Sequence, residues 1–251
     1  MSITIAPLPP EEALAYFRKK GLATTFDWQD TLKLQQDVSF TVAGIMQLDV
    51  LADIKEFIDE SLEKGYTIEQ FKSGLIPRLQ EKGWWGEKEI ENPETGKTRT
   101  VIITPYRLKT ILETNSRAAY SEGQWARIQD NKDVFPLLIY VGNNSKEPRP
   151  SHSALNGLIA PVNAPIWAYI RPIKDFGCKC RIRALTAGQG AKLGYNPNSP
   201  LPPPTPMVEF VNKQTGEKRL IPEGVNPAFW HPGKTNLQAL QETLKQRQKG
   251  V

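Results

Sequence analysis

The chain has 251 residues, enough for one large domain or two small ones. With 39% hydrophobic and 24% charged residues it is somewhat polar but well inside the globular range. No apolar run approaches the roughly 18–20 residues that span a bilayer, and the opening MSITIAPLPPEE lacks the basic and apolar regions of a secretory signal. The expectation is a protein of the reducing cytoplasm with no membrane partner. Two cysteines separated by one residue cannot supply a disulfide framework. The formal charge of +5, with a pI of about 9.1, permits contact with nucleic acid but speaks first to solubility. The excess is uneven: Arg171, Lys174, Lys179, Arg181, Arg183 and Lys192 surround the cysteines, with Asp175 the only acid among them.

In chain order, Glu11–Lys20 reads as a short helix, acidic at its start and basic at its end, with Gly21 at its C′ position. Leu48, Leu51, Ile54, Phe57, Ile58 and Leu62 then recur at the 3.6-residue spacing of an amphipathic helix, which Gly65 stops. Thr67 and Gln70 form a capping-box pair that opens a second helix toward Leu79, and Pro77 should kink or shorten it. EIENPETGKTRTVII predicts a β-hairpin with its turn at residues 92–96. Pro105 suits the first turn of a long helix running toward Gln129. Its inner face carries Leu108, Ile111, Leu112, Asn115, Ala118, Ala119 and Trp125, so Asn115 is expected to be buried and hydrogen-bonded.

Phe135–Val141 predicts a short apolar strand, and CRIRAL predicts a closing one. Alternation puts Cys178, Cys180, Ile182 and Ala184 on the inner face, with Lys179, Arg181 and Arg183 on the outer. Residues 196–206 hold six prolines in eleven positions and predict a semi-rigid spacer. Beyond it come a hairpin around Thr215-Gly216 and a polar amphipathic helix from Thr235 to Gln248. The expected division is a helical region at 1–88, a core domain at 89–195, the linker at 196–206, and a hairpin with a helix at 207–251. The expected fold class is α+β: a helical N-terminal region, then a mixed domain with a long helix and short antiparallel strands.

The stretch from Ser151 to Leu185 holds both cysteines and one of the two histidines, and no catalytic triad, P-loop or nucleotide fingerprint competes with it. Its order is Arg149, His152, Leu155, Gly157, Pro165, Trp167 and then Cys178-Lys179-Cys180-Arg181. This order resembles the core motif of the phage Mu F-like family, the minor head or head-morphogenesis proteins of tailed phages. Phe26-Asp27-Trp28, Phe40–Gly44 and Gly83-Trp84 match further phrases of that family. The resemblance covers most of the chain up to about Leu193, and it makes residues 89–195 a Mu F-like core domain. It implies a minor head protein of few copies near the portal, assembled in the host cytoplasm and carried in the virion head. Its implied partners are the portal protein and other head proteins. The same resemblance raises non-specific double-stranded DNA contact, during packaging or ejection, for Lys179, Arg181 and Arg183.

His152, Cys178, Cys180 and His231 are the only His and Cys residues, so a Cys2His2 zinc site comes into question. The usual Cys-x2–4-Cys spacing is missing, and alternate positions on a strand make a poor bite for one ion. The expectation is therefore no metal and no cofactor, with two reduced, packed cysteines and a hydrogen-bonded His. Nucleophilic catalysis by Cys180 or Cys178 with His152 as base lacks a recognisable orienting Asn or Asp. No enzymatic activity is expected. The competing reading is a nuclease or toxin-like hydrolase using the His152/Cys180 region.

Overall fold

Helix α1 (Glu11–Arg18) buries Ala13, Leu14, Tyr16 and Phe17. It stops short of Lys20, and Gly21 does not cap it. Gly21 opens strand β1 (Gly21–Leu22), which pairs in parallel with β2 (Ser39–Phe40). The backbone groups of Gly21 are thus committed to a ladder instead of a helix end. The computed structural model describes residues 10–30, 39–92, 95–142, 147–200, 205–213 and 215–230. Helix α2 (Leu48–Lys64) follows the predicted stripe, burying Leu51, Ile54, Ile58 and Leu62 and adding Val50. Leu48 at its start is exposed. Gly65 ends the helix in the left-handed region at φ +67°.

Helix α3 (Ile68–Glu81) opens with the predicted capping box. The Gln70 amide donates to Thr67 Oγ1 at 3.2 Å, and the Thr67 amide donates to Gln70 Oε1 at 2.8 Å. Pro77 does not shorten it. Pro77 and Ser73, whose carbonyl loses its partner, both face solvent, so water can serve that carbonyl while Leu75 and Leu79 stay buried. The hairpin of β3 (Gly86–Glu91) and β4 (Thr98–Ile103) turns where expected, with Ile90 opposite Arg99.

Helix α4 (Pro105–Asp130) has proline in its first turn, and Thr104 Oγ1 accepts from the Arg107 amide at 3.2 Å. It runs through two hydrophobic cores. Leu108, Ile111, Leu112 and Ala119 join α1, α2, α3 and the hairpin, whereas Ile128, with Trp125 beside it, joins a three-stranded sheet. Asn115 is only half-buried, and its amide donates to the Ile111 carbonyl of its own helix at 2.9 Å.

That sheet is antiparallel, in the order β6–β5–β7, from β5 (Leu137–Val141), β6 (Ile159–Pro161) and β7 (Arg181–Leu185). Short helices α5 (Pro150–Ser153) and α6 (Trp167–Ile170) lie in the connections, and α7 (Ala187–Lys192) follows β7. Strands β8 (Met207–Val211) and β9 (Lys218–Pro222) form the predicted C-terminal hairpin. The segment after it returns to the sheet: the Asn226 amide donates to the Lys174 carbonyl at 2.8 Å. Phe176 lies edge-on between Trp28 and Phe229, with ring centroids 6.4 and 5.1 Å away. The fold is α+β as expected, with the parallel β1–β2 pair an exception to the antiparallel pairing. The expected helix at 235–248 and His231 lie outside the described residues.

Candidate functional site

Because β5 is the central strand and Val141 pairs with Arg181, the chain leaving β5 and the chain entering β7 meet at one end of the sheet. His152 sits on α5 in the connection after β5, and Cys178 and Cys180 lie just ahead of β7. Topology therefore joins residues 26 and 28 positions apart. His152 Nδ1 is 3.8 Å from Cys178 Sγ and 3.7 Å from Cys180 Sγ. All three side chains are buried, and their donor atoms lie within 4.8 Å of one another. His152 Nε2 is 2.9 Å from the Gly224 carbonyl. A carbonyl only accepts, so Nε2 carries a proton and Nδ1 is the ring nitrogen that faces the sulfurs.

One premise of the spacing argument against a common site does not hold. It placed both cysteines within a strand, but β7 begins at Arg181, and Cys178 and Cys180 lie on the bent approach to it. The Cys178 amide donates to the Asp175 carbonyl at 3.1 Å across a turn that carries Gly177 at φ +69°. The predicted alternation nevertheless extends through this segment. Cys178, Cys180 and Ile182 are buried, Ala184 is half-buried, and Lys179, Arg181 and Arg183 are exposed.

The other motif residues hold this corner together. Arg149 pairs with Asp175 at 3.2 Å and donates to the Phe176 carbonyl at 3.0 Å, fixing the turn ahead of Cys178. Gly157, at φ +84°, donates its amide to the Tyr140 carbonyl at 2.9 Å and ties the connection to β5. Leu155 and the buried Trp167 share the core of the cysteines, and Trp167 Nε1 donates to the Pro161 carbonyl at 2.8 Å. Arg181 lines a groove of about 510 Å³ with Lys179, opposite Arg117 and Arg127 of α4.

The two thiols act as one coupled pair. The hydrogen bond between them, and then burial, pushes Cys178 up. The same bond holds Cys180 well below the ordinary thiol range against the effect of burial, helped by His152 and the nearby Tyr140 hydroxyl. Three contributors were not picked out as site residues from the sequence. Gly224 reaches the site from beyond the Pro-rich stretch. The Tyr140 hydroxyl is buried next to Cys180 with no well-formed hydrogen bond among the described residues, and burial pushes its pKa up. Lys174 is buried with its ammonium 5.3 Å from the Tyr140 ring centre, and burial lowers its pKa to about 8. The one polar residue in LLIYV and the lysine in PIKDFG were the available signals. A pocket of about 290 Å³ bordered by Glu147, Arg149 and Ser153 opens onto the cluster.

The sequence model of the Phage Mu protein F like family matches residues 52–183, from α2 through the cysteines into β7. That span is just over half of the chain, and the protein belongs to this family. A protein of Escherichia phage Mu named "Putative capsid assembly protein F" is 36% identical over 189 residues, covering 75% of this chain and 43% of that protein. The Mu-like prophage FluMu F protein of Haemophilus influenzae is 33% identical over 196 residues, covering 77% of this chain and 46% of that protein. The chain thus spans less than half the length of either relative. No solved structure matches it.

Proposed function

We propose that the protein is a minor head protein that acts in phage head assembly near the portal, without catalysing a reaction. The observation that carries this reading is the 36% identity, across three quarters of the chain, to a phage Mu protein whose name assigns it to capsid assembly. The motif geometry supports it: Arg149, Gly157 and Trp167 are engaged in holding the fold. Its partners are the portal protein and other head proteins, and its place is the virion head, assembled in the host cytoplasm. No helix among the described residues is long and apolar enough to cross a membrane. Cross-linking mass spectrometry of purified particles tests the reading. Cross-links from this chain to the portal protein are expected, and its absence from both proheads and mature particles would overturn the assignment. A hydrolase would instead cut plasmid DNA or RNA and lose that activity in His152→Ala.

Non-specific DNA contact belongs to the same proposal. Lys179, Arg181 and Arg183 are all exposed, and Lys179 and Arg181 face Arg117 and Arg127 across the groove. Each phosphate neutralised on duplex DNA steepens the slope of log affinity against log salt by roughly 0.9. Replacing the three residues by alanine should flatten the slope by about two to three units and leave the melting temperature nearly unchanged. Binding that survives the triple change would move the DNA contact to other residues, and no binding by the wild type at low salt would leave the protein a purely protein-contacting role.

A further inference from the structure

An assembly role makes no use of a buried imidazole set between two thiols, and the geometry of this cluster carries an assignment independent of that role. Zinc bound at about 2.3 Å to sulfur and about 2.0–2.1 Å to nitrogen has tetrahedral S···N edges of about 3.6 Å. The two edges here are 3.8 and 3.7 Å. Nδ1 could share a hydrogen bond with one sulfur, yet it stands about equally near both. The Gly224 carbonyl holds the opposite ring nitrogen, the outer support that metal-binding histidines regularly have. The Tyr140 hydroxyl lies buried next to Cys180 without a well-formed hydrogen bond among the described residues, a donor that suits a charged sulfur there.

We propose that His152 Nδ1 and the Cys178 and Cys180 sulfurs form a metal site for one zinc-class divalent ion, with its fourth position open to the pocket bordered by Glu147 and Ser153. Two thiolates and an imidazole select zinc over magnesium or calcium, which take oxygen donors. The ion would displace the remaining thiol protons, so its uptake releases protons to solvent. Three protein ligands leave the fourth position to a solvent oxygen, for which the pocket of about 290 Å³ has ample room.

The test uses the full-length chain, reduced and stripped with chelator, and Co²⁺ alone as the first probe. One equivalent should give visible bands of tetrahedral cobalt and near-ultraviolet thiolate-to-cobalt bands, and Zn²⁺ should displace it. Protein purified without added metal should carry about one zinc per chain. Cys180→Ser and His152→Ala should each lose more affinity than the roughly 10–100-fold that removal of an outer partner costs. The wild type guards against variants that fail to fold: zinc should block both thiols from a disulfide reagent and raise the melting temperature. Cobalt bound without thiolate bands, equal binding by a Cys178→Ser/Cys180→Ser double variant, or no metal taken up by the reduced wild type would each overturn the assignment.

Discussion

Gly224 decides which nitrogen of His152 faces the sulfurs, and it does so through backbone alone. Its φ of +76° lies where L side chains are strained, and a Cβ there would run into the Ser151 side chain. Gly224→Ala should therefore cost about 1–3 kcal/mol. A urea midpoint shifted by much less would mean that the turn readjusts without strain. A second residue-scale prediction concerns charge. Glu122 and Arg171 are nearly buried and 3.1 Å apart, and Arg171 lies over the Trp125 ring. Glu122→Ala would strand a buried guanidinium and should cost about 3–5 kcal/mol by denaturant unfolding. A loss under about 1 kcal/mol would place Arg171 in solvent, as for an exposed pair. None of these roles could be read at the residue scale from sequence. His152 and the cysteines stood out by type and by resemblance, whereas Gly224 matters only through a contact 72 positions away.

At the scale of elements, glycine shows how packing overrides propensity. In an open helix Gly→Ala stabilises by roughly 0.5–1 kcal/mol, because glycine forfeits more backbone freedom. Gly188 in α7 has nothing within 4 Å of a Cβ position, so Gly188→Ala should follow that rule. Gly123 in α4 should not. A Cβ there would lie 2.8 Å from the Ala13 amide nitrogen and 3.2 Å from its Cα, backbone atoms that cannot rotate away. Gly123→Ala should therefore destabilise by about 1–3 kcal/mol, forcing α1 off α4. Two thermal melts decide the matter, and equal signs would refute the argument. The same distinction explains which elements were legible. Helices α2, α3 and α4 and both hairpins announced themselves through period, caps and turn residues. The early end of α1 and the strands β1, β2 and β6 did not. Those strands are two or three residues long, too short for a period, and exist because a partner lies alongside.

At the scale of the whole molecule, α4 is the common wall. Its first half closes the core of α1, α2, α3 and the first hairpin, and its last turns cover the sheet that carries the His–Cys corner. Periodicity marks one continuous helix but cannot mark where along it one core gives way to the next. The chain past the Pro-rich stretch adds a second tie. Asn212 donates to the Gln29 carbonyl at 3.3 Å, while Gly224 and Asn226 bond His152 and Lys174. If one core unfolded alone, α4 would lose half its buried face while the rest stayed folded, and these ties would break with it. A single cooperative transition is therefore expected. Leu108→Ala in the first core and Ile182→Ala in the second should each cost about 2–5 kcal/mol. Both should shift one transition that far-ultraviolet circular dichroism and tryptophan fluorescence report together. Two separated transitions, each moved by only one of the variants, would show instead that α4 unfolds in halves and that its cores are independent units.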